Sequence, residues 1–147
     1  MNYLKTLWNK GVGGYQRFRK FELVKNRHWY DGGGSWLTHT IVMAGLHTNL
    51  GQYKKAKQCI KWIKEVVSVF HSLPEHIADI VEFEEWKKNE KEVTAWLIKG
   101  VKNAEKNIKP WLWEGHKTKV VPWVKSLIWP SAELILWKET LKKVVKC

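Results

Sequence analysis

The chain has 147 residues, 44% of them hydrophobic, and its 26 basic and 14 acidic side chains give a formal net charge of +12. That is the size of one domain, and no apolar run approaches the ~18–20 residues that cross a bilayer, so no membrane-spanning segment is expected. Cys59 and Cys147 show neither a disulfide framework nor metal spacing, and the six histidines show no paired ligand pattern, so no metal or cofactor is expected.

In chain order, residues 1–34 read as irregular. Gly11-Val12-Gly13-Gly14 breaks any helix. Tyr15 to Trp29 is basic and aromatic, and reads as extended. Gly32-Gly33-Gly34 permits positive φ and close backbone approach, but lacks the Lys-Ser/Thr ending of a phosphate loop. Ser35 is a good N-cap for a helix from Trp36 to about Asn49, ended by Gly51. Trp36, Leu37, Ile41, Val42, Met43, Ala44 and Leu46 make that helix apolar on nearly every side, as in a buried helix. Its His39 and His47 read as polar contacts within a packed interface.

A second helix, Tyr53 to about Val69, sets Ala56, Ile60, Ile63 and Val67 on one side and lysines on the other. An apolar inner helix followed by an amphipathic outer one is the unit of an α/α toroid. The loop 70–78 carries Leu73-Pro74-Glu75-His76. Asp79-Ile80-Val81-Glu82 has the form of a capping box opening a long charged helix, 79–108, that stops before Pro110. Trp111 to Pro122 reads as irregular and aromatic. The last helix runs from about Ser131 to Val145, with Trp129-Pro130-Ser131 at its start. No alternation is read as a strand, so the predicted class is all-α.

Three segments, in order, carry a resemblance: Trp29-Tyr30-Asp31-Gly32-Gly33-Gly34-Ser35-Trp36, Leu73-Pro74-Glu75-His76 and Leu127-Ile128-Trp129-Pro130-Ser131-Ala132-Glu133. Together they resemble the C-terminal third of prokaryotic glucoamylase-family glycoside hydrolases, a group of glucoamylases, glucodextranases and archaeal trehalases. The resemblance covers roughly residues 13–145 and implies a single partial domain over 1–147, the C-terminal arc of an (α/α)6 barrel. In it, 79–121 is similar to a charged helical insertion of archaeal members. The chain departs from the family at Trp129-Pro130-Ser131-Ala132, where the family has an aromatic ring after the serine.

The resemblance implies an inverting hydrolase of α-glucan or trehalose-type sugars, with Glu75 as general base. Such enzymes set two carboxyl groups ~6.5–9.5 Å apart, one protonating the leaving oxygen and one activating water. Trp36 and Trp129 would flank the sugar as an apolar platform, although core packing accounts for them equally well. Asp31 would accept sugar hydroxyls, and His76 would support the ionised base. The family's general acid lies upstream of these motifs, so the chain reads either as one product of a split or truncated gene, completed by a separate polypeptide, or as a decayed remnant, and by itself is expected to be inactive.

The residues themselves leave a rival open. Eleven tryptophans suggest either a dense aromatic core or a surface that stacks on sugar rings or nucleobases. With the lysines, the rival is a small basic helical protein that binds nucleic acid or serves as a structural partner. The N-terminus lacks the apolar stretch of a signal peptide, and the two cysteines suit a reduced compartment, so a cytoplasmic protein is expected.

Overall fold

A computed structural model describes residues 7–17, 34–89, 95–123 and 128–145. The strands are β1 (Tyr15–Gln16), β2 (Ser35–Trp36), β3 (His76–Asp79), β4 (Lys109–Trp113) and β5 (His116–Trp123). The helices are α1 (Leu37–Asn49), α2 (Tyr53–Phe70), α3 (Ile80–Asn89), α4 (Ala95–Glu105) and α5 (Ile128–Val145). The strands form one antiparallel sheet in the order β1-β2-β3-β5-β4. The fold is therefore mixed, and the all-α expectation, with its barrel arc, is overturned by this sheet.

The sheet is the middle layer. Ile77 and Val120 share one face with Trp111 and Trp113, and are buried against Leu37, Ile41, Trp62, Val66 and Phe70 of α1 and α2. Ala78, Val121 and Trp123 face the other way, against Phe83, Trp86 and Ala104 of α3 and α4. Helices cover both faces, so His76 to Ala78 of β3 and the inner half of β5 are buried. Val120 to Trp123 therefore reads as a plain apolar run, and the short His76-Ile77-Ala78-Asp79 shows no polar alternation that announces a strand.

The helical reading holds for α1 and α2, which begin and end within a residue of the expected positions. Gly51 takes φ 67 just past α1, as its terminating role requires. Ser35 does not cap α1. It lies in β2, and its Oγ donates to the Gly13 carbonyl. The single long helix 79–108 is absent: β3 runs through Asp79, and two shorter helices follow. Asp79 does cap α3, its Oδ1 accepting the Val81 N–H at 2.8 Å. The segment 111–122 is a β-hairpin, turned by Glu114 (φ 46) and Gly115 (φ 89), the positive-φ pair of a type I′ turn.

α1 packs on both α2 and α5. Gly45 makes the α1–α5 approach possible: a Cβ there would lie 2.1 Å from a Trp137 ring carbon. Gly45→Ala is expected to lower unfolding free energy by about 1–2 kcal/mol in urea titrations. Overpacking costs about 1–3 kcal/mol and outweighs a helix-propensity gain of about 1 kcal/mol. On the far side, Leu50, Ile135 and Leu136 remain exposed.

Several polar groups inside the helical layer are paired, although the buried Trp113 indole N–H has no hydrogen-bond partner among the described residues. The Trp62 and Trp111 indole N–H groups both donate to the Val12 carbonyl, at 2.8 and 3.1 Å. Tyr15 Oη meets His47 Nε2 at 2.8 Å, and His47 Nδ1 meets Gln52 Oε1 at 2.9 Å. Because an amide oxygen only accepts, the proton sits on His47 Nδ1 and the Tyr15 hydroxyl donates to Nε2. Burial lowers the pKa of His47 and His39 below 6.5, helped at His39 by Arg17 and at His47 by Lys55, against the Gln52 hydrogen bond. Burial pushes Cys59 from 9.0, and Tyr15 from 10.0, up to about 12.

Each shift favours the neutral form, so the signs follow. Lowered histidines bind fewer protons folded than unfolded, and stability falls as pH drops below 6.5. The raised thiol and phenol keep protons that the unfolded chain releases, and stability falls as pH rises from 9.0 towards 12. Thermal midpoints measured from pH 4 to 11 are expected to plateau between these limbs. His47→Gln is expected to flatten the acid limb.

Candidate functional site

Glu75 sits where three elements meet. Its N–H donates to the Trp123 carbonyl at 3.0 Å, and its carbonyl accepts the Leu37 N–H, also at 3.0 Å. The first bond ties it to the end of β5, the second to the first turn of α1. The Glu75 side chain is half-buried.

Trp36 and His76 lie beside it as register partners on β2 and β3, and His76 pairs with Trp123 on β5. The three rings share one sheet face. His76 is fully buried, 4.7 Å from Trp36 at an interplanar angle of 13° and 6.0 Å from Trp123 at 25°. Trp36 is 6% exposed, with the Arg17 guanidinium 5.2 Å over its ring and His39 edge-on at 5.7 Å. In this arrangement neither Trp36 nor His76 presents an open face. They form an aromatic wall adjoining Glu75.

α5 begins at the same end. Trp137 packs at Gly45, about 12 Å along α1 from its start and about 13 Å along α5 from Ile128. Leu134 and Trp137 join the cluster of Leu37 and Ile41, and Leu141 joins that of Met43 and Ala44, as the parallel arrangement requires. Trp129, the second residue of α5, therefore belongs to the Glu75 end of the molecule. Asp31 falls outside the described residues.

Of the predicted set, the structure brings together Trp36, Glu75 and His76, and sets the start of α5 at their end. Sequence reasoning missed Trp123, which holds the Glu75 N–H, and Arg17, which covers Trp36. The strand Val120-Val121-Pro122-Trp123 is the signal that would have found Trp123. Among the described residues no cluster of His, Cys, Asp or Glu could hold a metal ion, and no helix is long and apolar enough to cross a membrane.

The described tryptophan side chains are all buried or half-buried. Lysines decorate the outside of α2, where Lys54, Lys57, Lys61 and Lys64 are exposed on one stripe. The chain matches no family model, no curated protein and no solved structure.

Proposed function

We propose that this chain is the base-bearing part of an inverting glycoside hydrolase acting on α-glucan or trehalose-type sugars, with Glu75 as the general base. The reading rests on the resemblance of three ordered segments to glucoamylase-type enzymes. The observation that carries it is the main-chain clamp on Glu75. A base must be held within hydrogen-bond reach of its water, and a residue tied by both N–H and C=O to two elements is held that way. In this reading Trp129 and Asp31 contact the sugar, Trp36 and His76 support the wall, and the site works in the cytoplasm.

The general acid comes from a second polypeptide that completes the site. The test is hydrolysis of maltooligosaccharides and trehalose by this chain alone and with the product of the adjoining upstream gene, with the first-released anomer followed by proton NMR. The lone chain is expected to be inactive, since a missing acid costs a factor of about 10²–10⁴. From maltooligosaccharides the completed enzyme is expected to release β-glucose first, and from trehalose one β- and one α-glucose, the latter being the leaving group. Robust activity of the lone chain, or α-glucose as the first anomer released from maltooligosaccharides, overturns the reading.

The lysine stripe on α2 favours a second reading, binding of nucleic acid through phosphates. Four lysines spaced along about 15 Å match a short stretch of backbone. With the described tryptophans buried, such binding is electrostatic and lacks base stacking. Four phosphate contacts predict about a 10²-fold loss of affinity between 50 and 200 mM salt. Fluorescence anisotropy with a labelled oligonucleotide reads this directly, and salt-independent or absent binding removes the second reading.

A further inference from the structure

The region between the described helix α4 and the end of β5 holds a pocket of about 410 Å³, lined by Gly100, Asn103, Lys106, Asn107, Pro122 and Trp123, with Ala104 at its base. Its size falls in the range of small-molecule sites, roughly 300–1,000 Å³. One wall is Trp123, whose main-chain carbonyl also holds the Glu75 N–H.

The lining is chemically mixed in a specific way. Trp123, Pro122 and Ala104 give it apolar surface, and Asn103, Lys106 and Asn107 add donors and acceptors. Asn107 Nδ2 donates to the Asn103 carbonyl at 2.7 Å, which fixes the Asn107 amide and leaves its Oδ1 as an acceptor. Among the described residues no carboxylate lines the pocket.

We propose that this pocket is an accessory sugar-binding subsite for a neutral, hydroxyl-rich ring. A pyranose presents C–H groups on its faces and hydroxyls round its edge, which suits a lining that mixes apolar surface with two amide side chains and a lysine. A nucleobase suits it less. Trp123 is only 5% exposed and offers the pocket its ring edge, the Cζ2 side, while base stacking needs an open face. The subsite deepens the hydrolase reading and rests on it, because it gives a sugar chain a hold beside Glu75 that belongs to the α4 segment.

Gly100 supplies the test. A Cβ added there meets only Trp123 Cζ2, at 3.7 Å, an ordinary contact, and Gly100 lies within a helix without positive φ. Gly100→Leu therefore fills the pocket while improving helix propensity, so the variant is expected to be at least as stable as the parent. Binding of maltose, maltotriose and trehalose is measured by titration calorimetry and by amide shifts in NMR, on the chain as it stands. The parent is expected to bind with shifts centred on residues 100–107 and 123. Gly100→Leu is expected to weaken binding at least 10-fold at unchanged or higher thermal midpoint, and Asn107→Ala about 10-fold.

Sugar binding that survives both substitutions overturns the subsite and leaves the Glu75 reading standing. Absence of any sugar binding by the parent overturns the subsite as well, while Glu75 is tested separately by hydrolysis in the completed enzyme. Binding of a free nucleoside stronger than that of the sugars overturns the assignment of ligand class.

Discussion

Glu75→Gln in the completed enzyme is expected to lower kcat by about 10²–10⁴ with little change in KM. Glutamine keeps the size of the side chain but cannot take a proton from water, and removal of a general base costs about that factor. Substrate contacts made equally in the ground and transition states survive, so the loss falls on kcat. The fold survives too. Both hydrogen bonds of the clamp are made by the main chain of residue 75, to Trp123 and from Leu37, and the substitution leaves them intact. A surface-like change of under about 0.5 kcal/mol moves the thermal midpoint by no more than about 2 °C. Steady-state kinetics beside a melting curve separate the outcomes. Retained kcat removes Glu75 as the base, and a large fall in midpoint shows that its role is structural.

Trp62→Ala is expected to cost about 3–5 kcal/mol, the largest stability effect in the chain. Trp62 has 0% exposure and lies in the cluster shared by α1, α2 and the sheet. Truncating a buried Trp loses its transfer energy and leaves a cavity, together about 3–5 kcal/mol. Gly13 and Gly14 pack so closely on the indole that added Cβ atoms would lie 2.5 and 2.6 Å from it, so the ring also shapes the N-terminal turn. The Val12 carbonyl keeps the Trp111 indole as a donor, which limits the hydrogen-bond part of the loss. A chain of this size has about 5–15 kcal/mol in total, so the variant sits close to the folding threshold. Urea unfolding followed by tryptophan fluorescence measures it, and a loss below 2 kcal/mol shows that the site collapses round the gap.

Helices α1 and α2 were legible because their spacing and terminating glycine are local signals that neighbours reinforce. The sheet was not, for two separate reasons. In β3 and the inner half of β5 burial on both faces removes alternation, and His76-Ile77-Ala78 could as well open a helix. In the hairpin the signal existed: Lys117 and Lys119 alternate with Thr118 and Val120, Trp111 and Trp113 flank Leu112, and Glu114-Gly115 supplies the turn. Tryptophan density masked it, because the indoles suggested an irregular aromatic patch. At the site, the motif around Glu75 was readable as a loop glutamate beside Trp36. Its anchoring by Trp123, 48 positions later, depends on long-range pairing that no local pattern encodes.

The strand order has a consequence for synthesis. The α1–α2 hairpin and the β4–β5 hairpin each close within a short stretch of chain, and such local contacts form quickly. β3 waits for β5, whose residues leave the ribosome some 40 positions later, and the Val12 carbonyl receives the Trp111 indole only after 99 intervening steps of sequence. At about 5–20 residues per second, β3 spends several seconds with its β5-facing edge unpaired. Glu75, tied to both early and late elements, is locked into place only when the nascent chain has been made through Trp123.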